Sequence, residues 1–185
     1  MTDIELLDQM IKDEAKMVLE EKNGKLYVTL KEPQYPKGSV TIAGMPNNSI
    51  VIKADKFNSP DSLFAGSKGE CKRADFIIAA ATAQKKVILC IEMKYRKGKP
   101  PEIVQQLRGT RCLLSYCQEI GRAFWDKQDF LKGYAYRFIS IGNLSIAKQK
   151  TRIERQSAKH DCPERMLKID WPNSRIEFNR LSGKV

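Results

Sequence analysis

Two apolar, strand-like runs joined by a short polar turn constrain this chain more than any other feature. The first, Arg73-Ala74-Asp75-Phe76-Ile77-Ile78, carries one acid near its start; the second, Val87 to Ile91, runs into Glu92-Met93-Lys94. Ala83-Gln84-Lys85-Lys86 between them is short enough for a hairpin. Successive side chains of a strand point to opposite faces. Glu92 and Lys94 therefore share one face, and Leu89, Ile91 and Met93 are expected on the other, in the core. On the first run Asp75 shares its face with Ile77, opposite Phe76 and Ile78. A hairpin centred between Ala83 and Gln84 sets Asp75 across from Glu92 on one face, and a slip of one residue separates them.

A carboxylate at the edge of an apolar strand is costly unless its charge is compensated. Two such groups side by side repel, and a hard divalent cation with oxygen ligands relieves the repulsion. Mg2+ (or Mn2+) suits a site with few protein ligands because it retains waters. A bound water then has a lowered pKa, and phosphate charge is neutralised. Lys94 adds a positive point charge beside the attacking water. Asp75 and Glu92 as metal ligands, with Lys94 alongside, are residue types suited to phosphodiester hydrolysis. The competing reading is a surface hairpin with three solvated charges, since Glu-x-Lys alone is a common pattern.

The chain has 185 residues, which predicts a single domain over 1–185. Lys and Arg number 33 against 22 Asp and Glu, a net charge of +11 that favours an anionic partner. No apolar run approaches the ~20 residues of a membrane span. The start, Met1-Thr2-Asp3-Ile4-Glu5, lacks the features of a signal peptide. The five cysteines form no CxxC pair, and Cys90 and Cys112 read as small buried residues of a reduced, cytoplasmic protein. The one histidine, His160, reads as a surface residue, and Trp125 and Trp171 as packing residues.

The spacing of Ile4, Leu7, Ile11, Ala15, Val18 and Leu19 predicts a helix over 3–22, closed by Asn23-Gly24. Strand-like runs follow at 26–30, 39–42 and 49–52, divided by Pro33, Pro36 and Gly38 and then by Gly44-Met45-Pro46. A loop marked by 58–61 and 66–69 leads to Asp75. Pro100-Pro101 opens a helix over 102–119 that Gly121 is expected to stop. A strand is expected at 134–141 with Gly142-Asn143 as its turn, then a polar basic segment at 148–165. A closing hairpin of 166–169 and 175–178 is expected around Pro172-Asn173-Ser174. This order of elements is an α/β (α+β) plan.

With Asp75 near the start of one strand, an apolar strand ending in Glu92-Met93-Lys94, and a helix from Glu102, residues 70–115 resemble the PD-(D/E)XK nuclease superfamily. Ala74 stands where the superfamily's name has proline. The resemblance implies a restriction-endonuclease-like core, a mixed central β-sheet flanked by helices. It implies a Mg2+-dependent endonuclease acting on nucleic acid, with DNA the expected substrate, and a homodimer is a common form of such enzymes. Gln106, in Val104-Gln105-Gln106-Leu107, would assist the site, with Gln105 as the alternative. The leading helix of the superfamily sometimes adds an acid; Glu14 and Glu20 are the candidates, and Glu70 is nearer Asp75. Lys72 and Arg73 before Asp75, and Arg96, Lys97 and Lys99 after Lys94, would hold phosphates without reading bases. Their plain reading is a solvated charge run. Two other functions compete. One is a catalytically inactive nucleic-acid-binding module of the same fold. The other is an interaction protein whose basic surface docks an acidic partner.

Overall fold

A computed structural model describes residues 1–31, 38–94, 98–142, 159–170 and 175–183. Among these the chain runs α1 (Asp3–Met10), β1 (Lys16–Met17), β2 (Glu20–Lys22), β3 (Lys25–Lys31), β4 (Ser39–Met45), β5 (Ser49–Lys53), β6 (Phe76–Ala81) and β7 (Lys86–Lys94). It continues through α2 (Pro100–Trp125), β8 (Ala135–Gly142), β9 (Leu167–Asp170), β10 (Arg175–Glu177) and α3 (Phe178–Ser182). The strands form a six-stranded sheet ordered β1-β5-β6-β7-β8-β9 and a four-stranded sheet ordered β10-β4-β3-β2. Both are mixed: β7–β8, β8–β9 and β10–β4 are parallel pairs and the others antiparallel. The parallel step from β7 to β8 needs a crossover, and α2 supplies it.

Both faces of the six-stranded sheet are covered. Ile77, Ala79, Ile88 and Cys90 pack with Ile4 and Leu7 of α1 and with Ile103, Leu107 and Leu114 of α2. Phe76, Ile78, Leu89, Ile91 and Met93 pack with Val28, Leu30, Val40 and Ile42 of the four-stranded sheet and with Phe178 of α3. Burial on both faces removes polar alternation, and the sequence of β6 and of Val87–Ile91 is accordingly apolar throughout. The expected mixed central sheet is present. Its flanks differ from the expectation: helices cover one face, while a second sheet with the short α3 covers the other.

The helix expected over 3–22 ends at Met10. Thr2 and Glu5 form a capping box at its start, with Glu5 N donating to Thr2 Oγ1 at 3.2 Å and Thr2 N to Glu5 Oε2 at 2.8 Å. Beyond Ile11 the chain turns, and Lys16 Nζ lies 2.9 Å from Asp8 and 2.7 Å from Asp13. Residues 16–22 then supply an edge strand to each sheet, because strand pairing, long-range for Lys16–Met17 and in a local hairpin for Glu20–Lys22, outweighs the weak helical preference of a short amphipathic run. Asn23-Gly24 is therefore a hairpin turn and not a helix end. Both residues have positive φ, 53° and 70°, and Lys22 pairs directly with Lys25.

Other expectations change for similar reasons. The runs at 26–30, 39–42 and 49–52 are β3, β4 and β5. Gly121 does not stop α2, which continues to Trp125 and ends at Asp126 with φ 53°. A Cβ at Gly121 would lie 2.3 Å from Phe130 Cδ1, so this glycine serves helix–loop packing. Gly142 is the last residue of β8, paired with Lys94, and not a turn. β9 and β10 make no hairpin: they join different sheets, and Ile169 and Ile176 fill the core between those sheets from opposite sides. His160 is buried, its Nε2 2.7 Å from Leu181 O, and its carbonyl accepts from Phe138 N at 2.9 Å. Cys112 is exposed on the outer side of α2, whereas Cys90 and Cys117 are buried. Trp125 packs against the helix-side core as expected. Pro33, Pro36, Trp171, Pro172-Asn173-Ser174 and most of the basic segment lie outside the described residues. No helix among the described residues is long and apolar enough to cross a membrane.

Candidate functional site

β6 and β7 pair in the register read from the turn, with Phe76 opposite Ile91 and Ala81 opposite Lys86. One step beyond the Phe76–Ile91 pair, the same register points Asp75 at Glu92. Asp75 stands just before β6, and its Oδ2 accepts from Met93 N at 2.7 Å. The carboxylate thus closes the end of the ladder in place of a main-chain acceptor. On the other side the Asp75 carbonyl accepts from Ala54 N at 2.8 Å, tying it to the end of β5.

Glu92 lies on the helix-covered face and is 0% exposed. Lys94 Nζ is 2.7 Å from Glu92 Oε1, and the Lys94 side chain is 30% exposed. Burial pushes the Lys94 ammonium down. The charge and hydrogen bond of Glu92, with the charges of Asp75 and Glu102, outweigh that effect and hold its pKa above the ordinary lysine value. Asp75, Glu92 and Lys94 therefore meet on one side of the sheet, Glu92 inside and Lys94 towards solvent. The solvated-hairpin reading does not hold for Glu92, whose carboxylate sits in the core. Buried Ser140 stands opposite Glu92 on β8. Gly142 stands opposite Lys94, where a Cβ would come within 2.9 Å of the Lys94 carbonyl.

α2 clamps the segment that delivers Asp75. At Gly109 the helix comes so close to this segment that a Cβ would lie 1.6 Å from Lys72 O. One residue on, buried Thr110 Oγ1 accepts from Ala74 N at 2.7 Å and donates to Gln106 O at 3.1 Å. The motif reading singled out neither residue. A usable signal was present: glycine in a helix interior costs ~1 kcal/mol, so it marks a close approach or another special need.

Gln106 lies one turn before Thr110, with its Oε1 buried and no hydrogen-bond donor among the described residues reaching it. Gln105, the alternative, accepts from Lys72 Nζ at 3.1 Å and packs against Gly69. Lys72 also lies 3.7 Å from Glu102. Arg73 donates to Ala54 O at 3.1 Å and Asp55 O at 3.2 Å, and its guanidinium lies 6.0 Å from the Phe57 ring centroid. It is a clamp on its own loop. Lys99 is exposed at the start of α2. Arg96 and Lys97 lie outside the described residues.

Of the further acids, Glu20 is on β2 in the other sheet, accepting from Tyr27 Oη at 2.8 Å. Glu14 is exposed in the turn before β1. Glu70 accepts from Lys68 N at 2.8 Å, and backbone N–H groups, its own foremost, hold its carboxyl below the ordinary range. Among the described residues no group of three or more His, Cys, Asp or Glu side chains is placed to hold a metal ion. None of these three acids therefore completes a larger cluster with Asp75 and Glu92. What the site offers is two hard oxygen donors, one ammonium and a half-open edge. No protein-family model, curated protein or solved structure matches the chain.

Proposed function

We propose that this protein is a divalent-metal-dependent nuclease of the PD-(D/E)XK kind, hydrolysing phosphodiester bonds in nucleic acid, with DNA the expected substrate. One observation carries the reading: Asp75, Glu92 and Lys94 converge at one end of the β6–β7 ladder, with Glu92 drawn into the core. A buried carboxylate is a costly way to build a sheet, and replacing a buried ion pair by apolar groups is often neutral or stabilising. The antiparallel meander β5–β6–β7, followed by the α2 crossover to parallel β8, supports the restriction-endonuclease-like core that the resemblance implies.

Asp75 and Glu92 would hold Mg2+ or Mn2+. Two adjacent carboxylates fit a hard ion that keeps most of its waters. The ion, when bound, supplies Lewis acidity and a water of lowered pKa. The chain's own residues do the positioning. Packing around Glu92 fixes the direction of its carboxylate. The Met93 N–H sets the rotation of the Asp75 carboxylate. Lys94, with its raised pKa, stays protonated at neutral pH. With its ammonium 2.7 Å from Glu92 Oε1, it is placed to steady charge building on a phosphoryl oxygen. Gln106 offers a buried acceptor one turn before Thr110, and Lys72 and Lys99 would supply charges for neighbouring phosphates.

Incubation with plasmid, single-stranded DNA and RNA, with and without Mg2+, tests the proposal. Cleavage is expected only with metal, and is expected to vanish in Asp75→Ala and in Glu92→Ala proteins that remain folded by circular dichroism. Undiminished cutting after either change would overturn the site. Salt-sensitive binding without turnover in Mg2+ or Mn2+ would leave the inactive binding module in its place.

A further inference from the structure

The chain crosses from β5 to β6 through a long connection, residues 54–75, with only short 3-10 turns at 54–56 and 60–62. Loops of this length without strands or long helices are uncommon in compact domains and are usually functional or disordered. This one is built to be held. Ser59 Oγ donates to Cys71 O at 3.2 Å and closes the loop at its base. Gly69 sits so tightly on α2 that a Cβ would lie 2.6 Å from Gln105 Cδ. Arg73 ties the outgoing strand to Ala54 and Asp55.

The outer part of this anchored loop is apolar. Leu63 is 79% exposed and Phe64 is 51% exposed, and both N–H groups are taken by Pro60 O. One exposed apolar side chain needs no explanation. Two adjacent ones, on a preorganised loop that runs straight into Lys72-Arg73-Ala74-Asp75, do. The loop also exposes Lys56, Lys68 and Lys72. Its acids Asp55, Asp61 and Glu70 are exposed as well, with the Glu70 carboxylate held by Lys68 N.

We propose that Leu63 and Phe64 form a contact site for unpaired nucleotides, so that single-stranded nucleic acid is held with its backbone leading to Asp75. The partner class rests on the nuclease reading above. The choice of single strand rests on the loop. Apolar side chains gain by covering base faces, which a duplex hides in its stack, while adjacent lysines take phosphates of either form. The chain's net charge of +11 fits a polyanionic partner and disfavours a basic one.

The test is fluorescence anisotropy in EDTA with a labelled oligothymidylate and a blunt duplex of equal length. Phe64→Ala is expected to weaken oligothymidylate binding about tenfold or more, the range of a lost base–aromatic stack. Leu63→Ser should weaken it less, Phe64→Trp should restore it, and duplex binding should change little in all three. Both side chains are exposed, and matched melting curves are expected. No loss with either Phe64→Ala or Leu63→Ser, or equal loss on both probes, would overturn the proposal. So would retained oligothymidylate binding alongside lost binding to phosphatidylserine vesicles, which would mark a membrane contact. Cleavage of the oligothymidylate by wild type in Mg2+ is scored separately. Loop-dependent, strand-selective binding without cleavage keeps this site and removes the hydrolytic reading. Cleavage with unchanged binding by the loop variants does the reverse.

Discussion

At the scale of residues, the pair Glu92 and Lys94 sets most of what the site can do. Glu92 is fully buried, and the ammonium 2.7 Å away balances its charge. Removing one partner of a buried ion pair is destabilising, by up to ~3–5 kcal/mol when the burial is complete. Lys94 is partly open to solvent, so Lys94→Met is expected to fall at or below the lower end of that range. The melting temperature should drop, and Mg2+ should restore more of it in the variant than it adds to wild type, because a cation then replaces the lost ammonium. Equal Mg2+ effects on the two proteins would show that the acids do not share a cation. The raised pKa of Lys94 also has a pH consequence with a definite sign. The folded state holds the proton more tightly than the unfolded chain does. The stabilisation is therefore complete below the unfolded lysine value near ~10.4 and is lost as pH rises through the higher folded value. Urea midpoints should fall more steeply above about pH 10 for wild type than for Lys94→Met. Tyr136, pushed up to about 12 mainly by burial, titrates in the same range in both proteins and cancels in the comparison.

At the scale of elements, α2 does more than join β7 to β8. Its Gly109 and Thr110 hold the segment that presents Asp75. Gly109→Ala must push the helix away from Lys72 O, and overpacking of this kind costs about 1–3 kcal/mol. Thr110→Val strands the buried Ala74 N–H, at about 1–3 kcal/mol. Each should lower the melting temperature and weaken Mg2+ binding by calorimetry, although neither residue touches the proposed metal position. Wild-type melting and Mg2+ affinity in both variants would mean that α2 does not position Asp75. The elements also differ in how readable they were. The β6–β7 hairpin follows from a short turn between two apolar runs, which is local. Its register is set by the pairing itself, because strands apolar on both faces carry no polar alternation to fix it. The helix expected over 3–22 failed because Lys16 and Met17 pair with a strand far along the chain, Lys16 with Ile52, and residues 20–22 fold back in a hairpin, Glu20 with Tyr27. Asn23-Gly24 carried the hairpin signal but also suits a helix end, and only the partner strand separates the two uses.

At the scale of the whole molecule, two sheets and a helical layer divide the charge from the core. The net charge of +11 predicts retention on nucleic acid that weakens steeply with salt. Lys72→Ala and Lys99→Ala should each reduce the slope of log affinity against log salt by about one, uniformly across sequences, if each lysine contacts a phosphate. An unchanged slope would move the binding surface elsewhere. Alternation along β7 was enough by itself to place Glu92 and Lys94 on one face. Nearest-neighbour geometry governs that outcome, and it is written into consecutive residues. The short turn permitted Asp75 to join that face, and the β6–β7 pairing fixed the register. Which layer would cover that face was decided only by tertiary structure. The packing of α2 made Glu92 a core residue, Thr110 and Gly109 became the supports of Asp75, His160 was drawn inside, and β9 and β10 went to separate sheets. Burial depends on surfaces contributed by segments distant in the chain, and no local period encodes those surfaces.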